Sequence, residues 1–420
     1  MNITSQDFID SNLSIKKYEK DKYGEVFTPH HLIMDMLDKL PFDVWFNPDL
    51  KWLDPANGVG NFPIVIFERL YDGLQEAIPS PDERKNHIIH NMLYMIELNP
   101  NNVEVSREVF GEDANIFCGS FLEDEWKKEF NVERFDVIVG NPPFNSNQTY
   151  SAKKGGGSSL WDKFVVKAID KLNDDGLLLF VHPSFWRKPQ SEFSRAKGMF
   201  QLMAHDNQLL YLELHNGADG KKVFNAATRY EFYVLRKTPQ YCKTTVQCEK
   251  GFVHEIDMRE WDFLPNHSFD QVASLLGKSE DSIIFSRNQY GSDKEWVDTS
   301  NNGFSYPLIH STTKTRGTRI LYTNTKQPPV KKLTPMFGVS KVIFGVSGIH
   351  NAIIDIDGKY GMTQQAMALG VDNMEQALEV KLALESDEFK NILNACSWSN
   401  FSINWRLFSY FRTDWINHLK

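Results

Sequence analysis

Leu32, Ile33, Met36, Leu37 and Leu40 recur three and four residues apart, the spacing of one apolar face of a helix. Thr28-Pro29 stands just ahead of them: Thr28 is placed to cap that helix, and Pro29 suits a first turn, where its missing N–H is not needed. Short apolar runs bounded by turn residues follow at Trp52-Leu53, Leu93 to Ile96, Val137 to Val139 and Leu177 to Val181. Runs of this kind read as strands buried on both faces, the habit of parallel sheets. A second helix lies between the last two. Phe164, Val165, Ala168, Ile169 and Leu172 form its apolar face, Ser159 and Asp162 a start like a capping box, and Gly176 its stop. Strands separated by helices predict a doubly wound α/β sheet.

After about residue 240 the rhythm breaks into mixed helical and extended segments, so a mixed α+β region is expected there. A hairpin is expected at Asp357-Gly358, between Ala352-Ile353-Ile354 and Tyr360-Gly361-Met362. Trp398, Phe401, Trp405, Phe408, Tyr410, Phe411 and Trp415 crowd the C-terminal stretch, and that density reads as core packing rather than a base-stacking surface.

Composition changes this picture little. At 420 residues, 41% hydrophobic and 24% charged, the chain has the make-up of a folded protein of two or three domains. No apolar run approaches the roughly 20 residues of a spanning helix, no secretory signal opens the chain, and no membrane association is expected. Four cysteines make no disulfide framework, so a reducing, cytoplasmic location is expected. Charge is more informative. The net charge of −9 argues against a polyanionic partner, yet residues 299–354 hold Lys314, Arg316, Arg319, Lys326, Lys331, Lys332 and Lys341 with no Asp or Glu. Binding responds to local potential, and this stretch is locally cationic. Lys153-Lys154 opens a second cationic segment rich in glycine.

The chemistry concentrates in Phe135 to Phe144, FDVIVGNPPF. A buried strand ends at Gly140, and ligands of open α/β sheets sit beyond the carboxyl ends of strands. Pro142 and Pro143 fix φ and keep the segment rigid, Asn141 offers a side-chain carbonyl, and the Pro142 carbonyl has no helical duty. Two such acceptors suit the two hydrogens of an exocyclic amino group. Drawing those hydrogens out of the ring plane localises the nitrogen lone pair. Phe144 supplies a flat face on which a ring can stack. Upstream, Asp54-Pro55-Ala56-Asn57-Gly58-Val59-Gly60-Asn61-Phe62 forms a glycine turn between a strand and an apolar helix over Pro63 to Leu70. The third glycine of a dinucleotide fingerprint and a Walker lysine are absent, which disfavours NAD and ATP. An Asp beside the turn suits a cationic ligand better than a pyrophosphate.

DPANGVGNF followed by NPPF and a long C-terminal region resembles the gamma-class N6-adenine DNA methyltransferases, the TaqI-like modification methylase family. The likeness covers about residues 20 to 240. It implies a Rossmann-like class I sheet with helices on both faces over residues 1–244, and a mixed α+β target-recognition domain over 245–420. It further implies S-adenosylmethionine as cofactor, transfer of its methyl group to N6 of a flipped adenine, and double-stranded DNA as partner. A restriction-modification or phage-defence setting, with a cognate restriction endonuclease, fits the same family.

By position, the resemblance assigns Phe27, Thr28 and Pro29 to the methionine end of the cofactor. Asp54, Pro55, Ala56, Gly58, Gly60, Asn61 and Phe62 would surround its methionine moiety, Glu97 its ribose, and Ser120-Phe121 its adenine. Asn141, Pro142, Pro143 and Phe144 would be catalytic, with Asn141 also near the cofactor. Phe224 would stack on the flipped base from the other side, with Tyr230 its rival. Lys153, Lys154, Lys314, Arg316, Arg319, Lys326, Lys331 and Lys332 would contact DNA, and no metal is called for. Ser120 stands where the family has Asp, and Asn57 where it has a small residue. RNA adenine and protein glutamine methyltransferases share the NPPF chemistry and are the rival enzymes. A non-catalytic recognition subunit is the rival of another class.

Overall fold

The computed structural model describes residues 5–12, 28–145, 159–190, 197–277, 283–315, 317–398 and 403–419. They form two compact units, one of residues 1–186 and 192–262, the other of residues 187–191 and 263–420.

The first unit is built on a nine-stranded sheet. Its strands are β1 (Trp52–Asp54), β2 (Leu93–Glu97), β3 (Ile116–Cys118), β4 (Phe135–Gly140), β5 (Leu172–Pro183), β6 (Gln208–His215), β7 (Tyr230–Arg236), β8 (Thr244–Gln247) and β9 (Val253–Ile256). Their spatial order is β3-β2-β1-β4-β5-β7-β6-β8-β9. From β3 to β5 every pairing is parallel, while β7 runs antiparallel to both β5 and β6. All four apolar runs therefore became strands of one sheet, as a doubly wound α/β architecture requires. The chain leaves β1 toward β2 and β3, then returns to β4 on the other side of β1. That reversal makes a crevice at the carboxyl ends of β1 and β4. Helix Asn61–Gly73 follows β1, and a core of Ile33, Met36, Leu37, Trp52, Ile64, Leu70, Met95, Val139 and Leu179 packs beneath it.

Two expected helix starts differ. Helix His30–Leu37 begins without a side-chain cap, because Pro29 holds the N-cap place and the Thr28 hydroxyl is used elsewhere. Helix Trp161–Lys171 likewise has Leu160 at its N-cap and no capping side chain. It stops at Lys171, well before Gly176, which lies within β5. The expected division after residue 244 falls inside the sheet, since β8 pairs with β6 and β9 with β8, and the first unit runs on to Asp262. Thr244 and Val246 are buried while Thr245 and Gln247 are half-buried, an alternation too short to signal a strand in the sequence.

The second unit holds two small sheets. One orders β10 (Val297–Asp298), β12 (Gly317–Thr323), β11 (Tyr306–Thr313) and β15 (Gly361–Met362); the other orders β14 (Ile353–Asp355), β13 (Lys341–Gly345) and β16 (Ala366–Gly370). The expected hairpin at Asp357-Gly358 is a turn, but its flanks do not pair: β14 joins β13 and β15 joins β11. The Asp355 carboxylate explains this, accepting from the backbone N–H of Lys359 at 2.7 Å and of Tyr360 at 3.0 Å. Asp355 also meets the Lys341 ammonium at 2.6 Å, with both side chains buried. Lys341 therefore leaves the set of surface cations and serves as an internal tie. Phe389, Phe408, Phe411 and Trp415 are buried against one another, in keeping with the core reading; Phe401 lies outside the described residues. Among the described residues, no helix is long and apolar enough to cross a membrane.

Candidate active site

β1 delivers Asp54 to the crevice. Its Oδ1 accepts from the Ala56 N–H at 3.0 Å, closing the first turn of the glycine loop. The Asn57 N–H reaches the Ile96 carbonyl at 3.0 Å, which fastens that loop to the end of β2. Gly60 sits at φ +99°, and a Cβ there would press on the Phe110 ring at 3.1 Å, so the loop closes over the helix N-terminus only with glycine. β4 delivers Gly140 beside Asp54. With φ +153°, and with Asp54 Oδ1 only 2.8 Å from where a Cβ would stand, Gly140 lets the carboxylate lie against the start of the Asn-Pro-Pro-Phe segment.

Three acceptor atoms around this loop, Asp54 Oδ2, Asn57 Oδ1 and Asn61 Oδ1, are buried without a hydrogen-bond partner. A buried acceptor with nothing to accept is costly, and three together fit a ligand that brings N–H donors and positive charge. Burial, reinforced by the charge of Glu97 and opposed by the Ala56 N–H, pushes the Asp54 carboxyl up to about 8. Such a group waits for a cation.

Glu97 holds its place at the end of β2. One carboxylate oxygen accepts from Gly58 N–H at 2.7 Å and the other from Asn99 N–H at 2.6 Å, so the side chain clamps the loop it was expected to share with a ribose. Ser120 is half-buried, with its hydroxyl turned back to accept from Leu122 N–H at 3.2 Å. Phe121 corrects the sequence reading: at 1% exposure it packs on Trp126 and Phe164, so its ring is core and offers no face to a ligand. Phe27 lies outside the described residues.

Asn141, half-buried just past β4, donates through Nδ2 to the Thr28 hydroxyl at 3.1 Å. The amide oxygen, Oδ1, is itself buried. The sequence held no signal for this pairing, since 113 residues separate the two. Thr28 is also tied by its carbonyl to Asn61 Nδ2 at 3.4 Å, so the N-terminal segment, the glycine loop and the Asn-Pro-Pro-Phe segment meet at one residue. Phe144 stands edge-to-face with Phe224, ring centroids 6.1 Å apart at 82°. Phe224 in turn stands edge-to-face with Tyr230 at 5.0 Å. The expected aromatic pair is thus brought together, with Tyr230 behind it.

In the second unit Lys314 and Arg319 are exposed at and beside the turn joining β11 to β12, and Lys326, Lys331 and Lys332 are exposed beyond them. The Lys326 ammonium lies over the Tyr306 ring at 4.9 Å. Lys153, Lys154 and Arg316 lie outside the described residues.

Residues 82–224 match the family model described as Eco57I restriction-modification methylase. A curated relative from Mycoplasma pneumoniae, named an uncharacterized adenine-specific methylase, is 28% identical, covering 39% of this chain and 55% of its own. Type II methyltransferase M.AccI of Acinetobacter calcoaceticus is 25% identical, covering 42% of this chain and 30% of its own. The chain thus spans about half the length, or less, of these curated relatives. Among solved structures, the Type IIL restriction-modification enzyme MmeI in complex with DNA superposes with a TM-score of 0.57 at 12% identity, over 96% of this chain and 70% of that one. Over that span the chain shares the fold of that enzyme.

Proposed function

We propose that this chain, whose residues 82–224 match the Eco57I restriction-modification methylase family model, transfers the methyl group of S-adenosylmethionine to N6 of an extruded adenine in double-stranded DNA. The observation that carries this reading is the amide of Asn141, anchored by Thr28 at the mouth of the β1–β4 crevice with the Phe144–Phe224 pair beside it. The cofactor fits the donor set: the buried acceptors of Asp54, Asn57 and Asn61 suit a methionine ammonium, and Glu97 stands at the end of β2 where a ribose would lie. When bound, it supplies an electrophilic sulfonium methyl.

The chain's own residues then act on the acceptor. Asn141 Oδ1 and the Pro142 carbonyl take the two hydrogens of the adenine amino group. Both pull away from the ring plane, so the lone pair withdraws from the ring and faces the crevice. The prolines hold both acceptors in place, so little reorganisation is needed at the moment of reaction. Extrusion of a base costs about a few kcal/mol, and stacking on Phe144 offsets part of it at roughly 1–3 kcal/mol per stack. On this reading methylation shields the sites of a cognate endonuclease, acting in the cytoplasm.

The exposed cations of the β11–β12 hairpin support a phosphate-binding role for the second unit. Replacing Lys314 and Arg319 together by alanine should reduce the slope of log affinity against log salt by about 1–2, leaving S-adenosylmethionine affinity unchanged. Fluorescence anisotropy across a salt series reads this directly; an unchanged slope would move the phosphate contacts to another surface. Transfer of a labelled methyl group to unmethylated DNA, RNA and protein in parallel tests the substrate. Label on DNA alone supports the reading, and label on RNA or on a glutamine of protein overturns it.

A further inference from the structure

We infer that His215 is a positioning residue for the target-base pocket, holding Tyr230 and through it Phe224 in the orientation that faces Phe144. This rests on the adenine reading and extends it to residues outside the motifs. Tyr211, Glu213 and His215 alternate along the end of β6, so their side chains share one face of the strand. The Tyr211 hydroxyl donates to Glu213 Oε2 at 2.7 Å, and Glu213 Oε1 lies 3.3 Å from His215 Nε2. On its other side, His215 Nδ1 is 4.0 Å from Asp219 Oδ2.

Asp219 belongs to helix Gly217–Phe224, the helix that ends in Phe224. Its carboxylate also accepts from Asn216 N–H at 3.2 Å, while Asn216 Oδ1 accepts from Ala218 and Asp219, a reciprocal capping box. The imidazole is therefore flanked by one carboxylate on the strand and one on the helix. Burial disfavours the Glu213 charge, yet the neighbouring His215 and the Tyr211 hydroxyl hold its carboxyl below the usual value, so it is an ionised anchor.

A ring flanked at its edges presents its face. That face stacks on Tyr230 with centroids 4.3 Å apart and planes 6° from parallel. Tyr230 meets Phe224 edge-on at 5.0 Å and 79°, and Phe224 meets Phe144 at 6.1 Å and 82°. Four rings in series thus run from the Glu213–Asp219 pair to the aromatic of the Asn-Pro-Pro-Phe segment. Releasing the first ring loosens Tyr230 and the wall that would receive an extruded base. The loss should fall on capture of the base, not on transfer.

The test uses the full chain and the duplex site identified by sequencing DNA that it has methylated. His215→Ala should raise KM for that duplex about tenfold and lower kcat less than about threefold, with S-adenosylmethionine affinity unchanged. With 2-aminopurine at the target position, the fluorescence rise that reports extrusion should fall by about half or more. A duplex with the target adenine mismatched lowers the cost of extrusion, so the KM defect should shrink to about twofold. His215→Phe keeps a flat ring on Tyr230 and should restore KM to within about threefold of wild type. Should the alanine variant fold poorly, Asp219→Asn gives the milder form, with KM raised about threefold. With an active wild type, unchanged KM and fluorescence in these variants, or a loss equal on matched and mismatched duplexes, overturns the role of His215 alone. A wild type that transfers nothing to DNA overturns the adenine reading and this inference with it.

Discussion

Replacing Asn141 by alanine is expected to lower kcat for methyl transfer by about a thousandfold while changing S-adenosylmethionine affinity less than about threefold. The amide is half-buried with its Nδ2 bonded to the Thr28 hydroxyl, and on the adenine reading its oxygen serves the incoming amino group. Without it the adenine nitrogen keeps its lone pair in the ring, and a correctly seated donor meets a poor nucleophile. Thr28→Val offers a graded comparison. It leaves the amide in place but removes the acceptor that orients it, so kcat should fall about ten- to a hundredfold. Single-turnover transfer and calorimetric titration of the cofactor separate the two quantities. Full activity in the Asn141 variant would remove the residue from the chemistry.

The second large effect concerns pH. Burial holds the Asp54 carboxyl at about 8 in the unliganded protein, far above its ordinary value, with Glu97 adding to the rise. A cationic ligand favours the ionised form, so binding draws a proton off Asp54. Affinity for S-adenosylmethionine should therefore rise about tenfold between pH 6 and pH 7, and level off near pH 8. The sign for stability is opposite. A carboxyl raised on folding stabilises most below its unfolded value, and that contribution is lost as pH climbs through the folded value of about 8. The free protein should thus become less stable from pH 4 toward pH 8 on account of this group, while the liganded protein does not. Asp54→Asn should flatten the binding profile and weaken binding at pH 8 about a hundredfold. A profile flat between pH 6 and pH 8 in the wild type would show that Asp54 does not face the charge.

What could be read in the sequence was local. Apolar runs such as Val137 to Val139 and Leu177 to Val181 announce buried strands because the signal lies in the residues themselves. Asn141 to Phe144 announces a rigid acceptor-plus-ring segment for the same reason. The failures share one cause, a partner that the local pattern does not announce. Thr28 looked like a helix cap and is the anchor of Asn141. Lys341 looked like one more surface cation and is buried on Asp355. Asp357-Gly358 looked like a hairpin until Asp355 took the neighbouring N–H groups. Phe121 looked like a ligand contact, but Trp126 and Phe164 cover its ring. His215 carried no motif at all, and only the stacking on Tyr230 draws attention to it.

The most direct measurement is base-resolved mapping of N6-methyladenine in DNA from cells expressing the wild type or the Asn141→Ala variant. Methylated adenine at one recurring sequence with the wild type, and none with the variant, is the predicted result. Wild-type DNA without N6-methyladenine, or equal methylation by both proteins, would contradict an acceptor role for Asn141 at an extruded adenine.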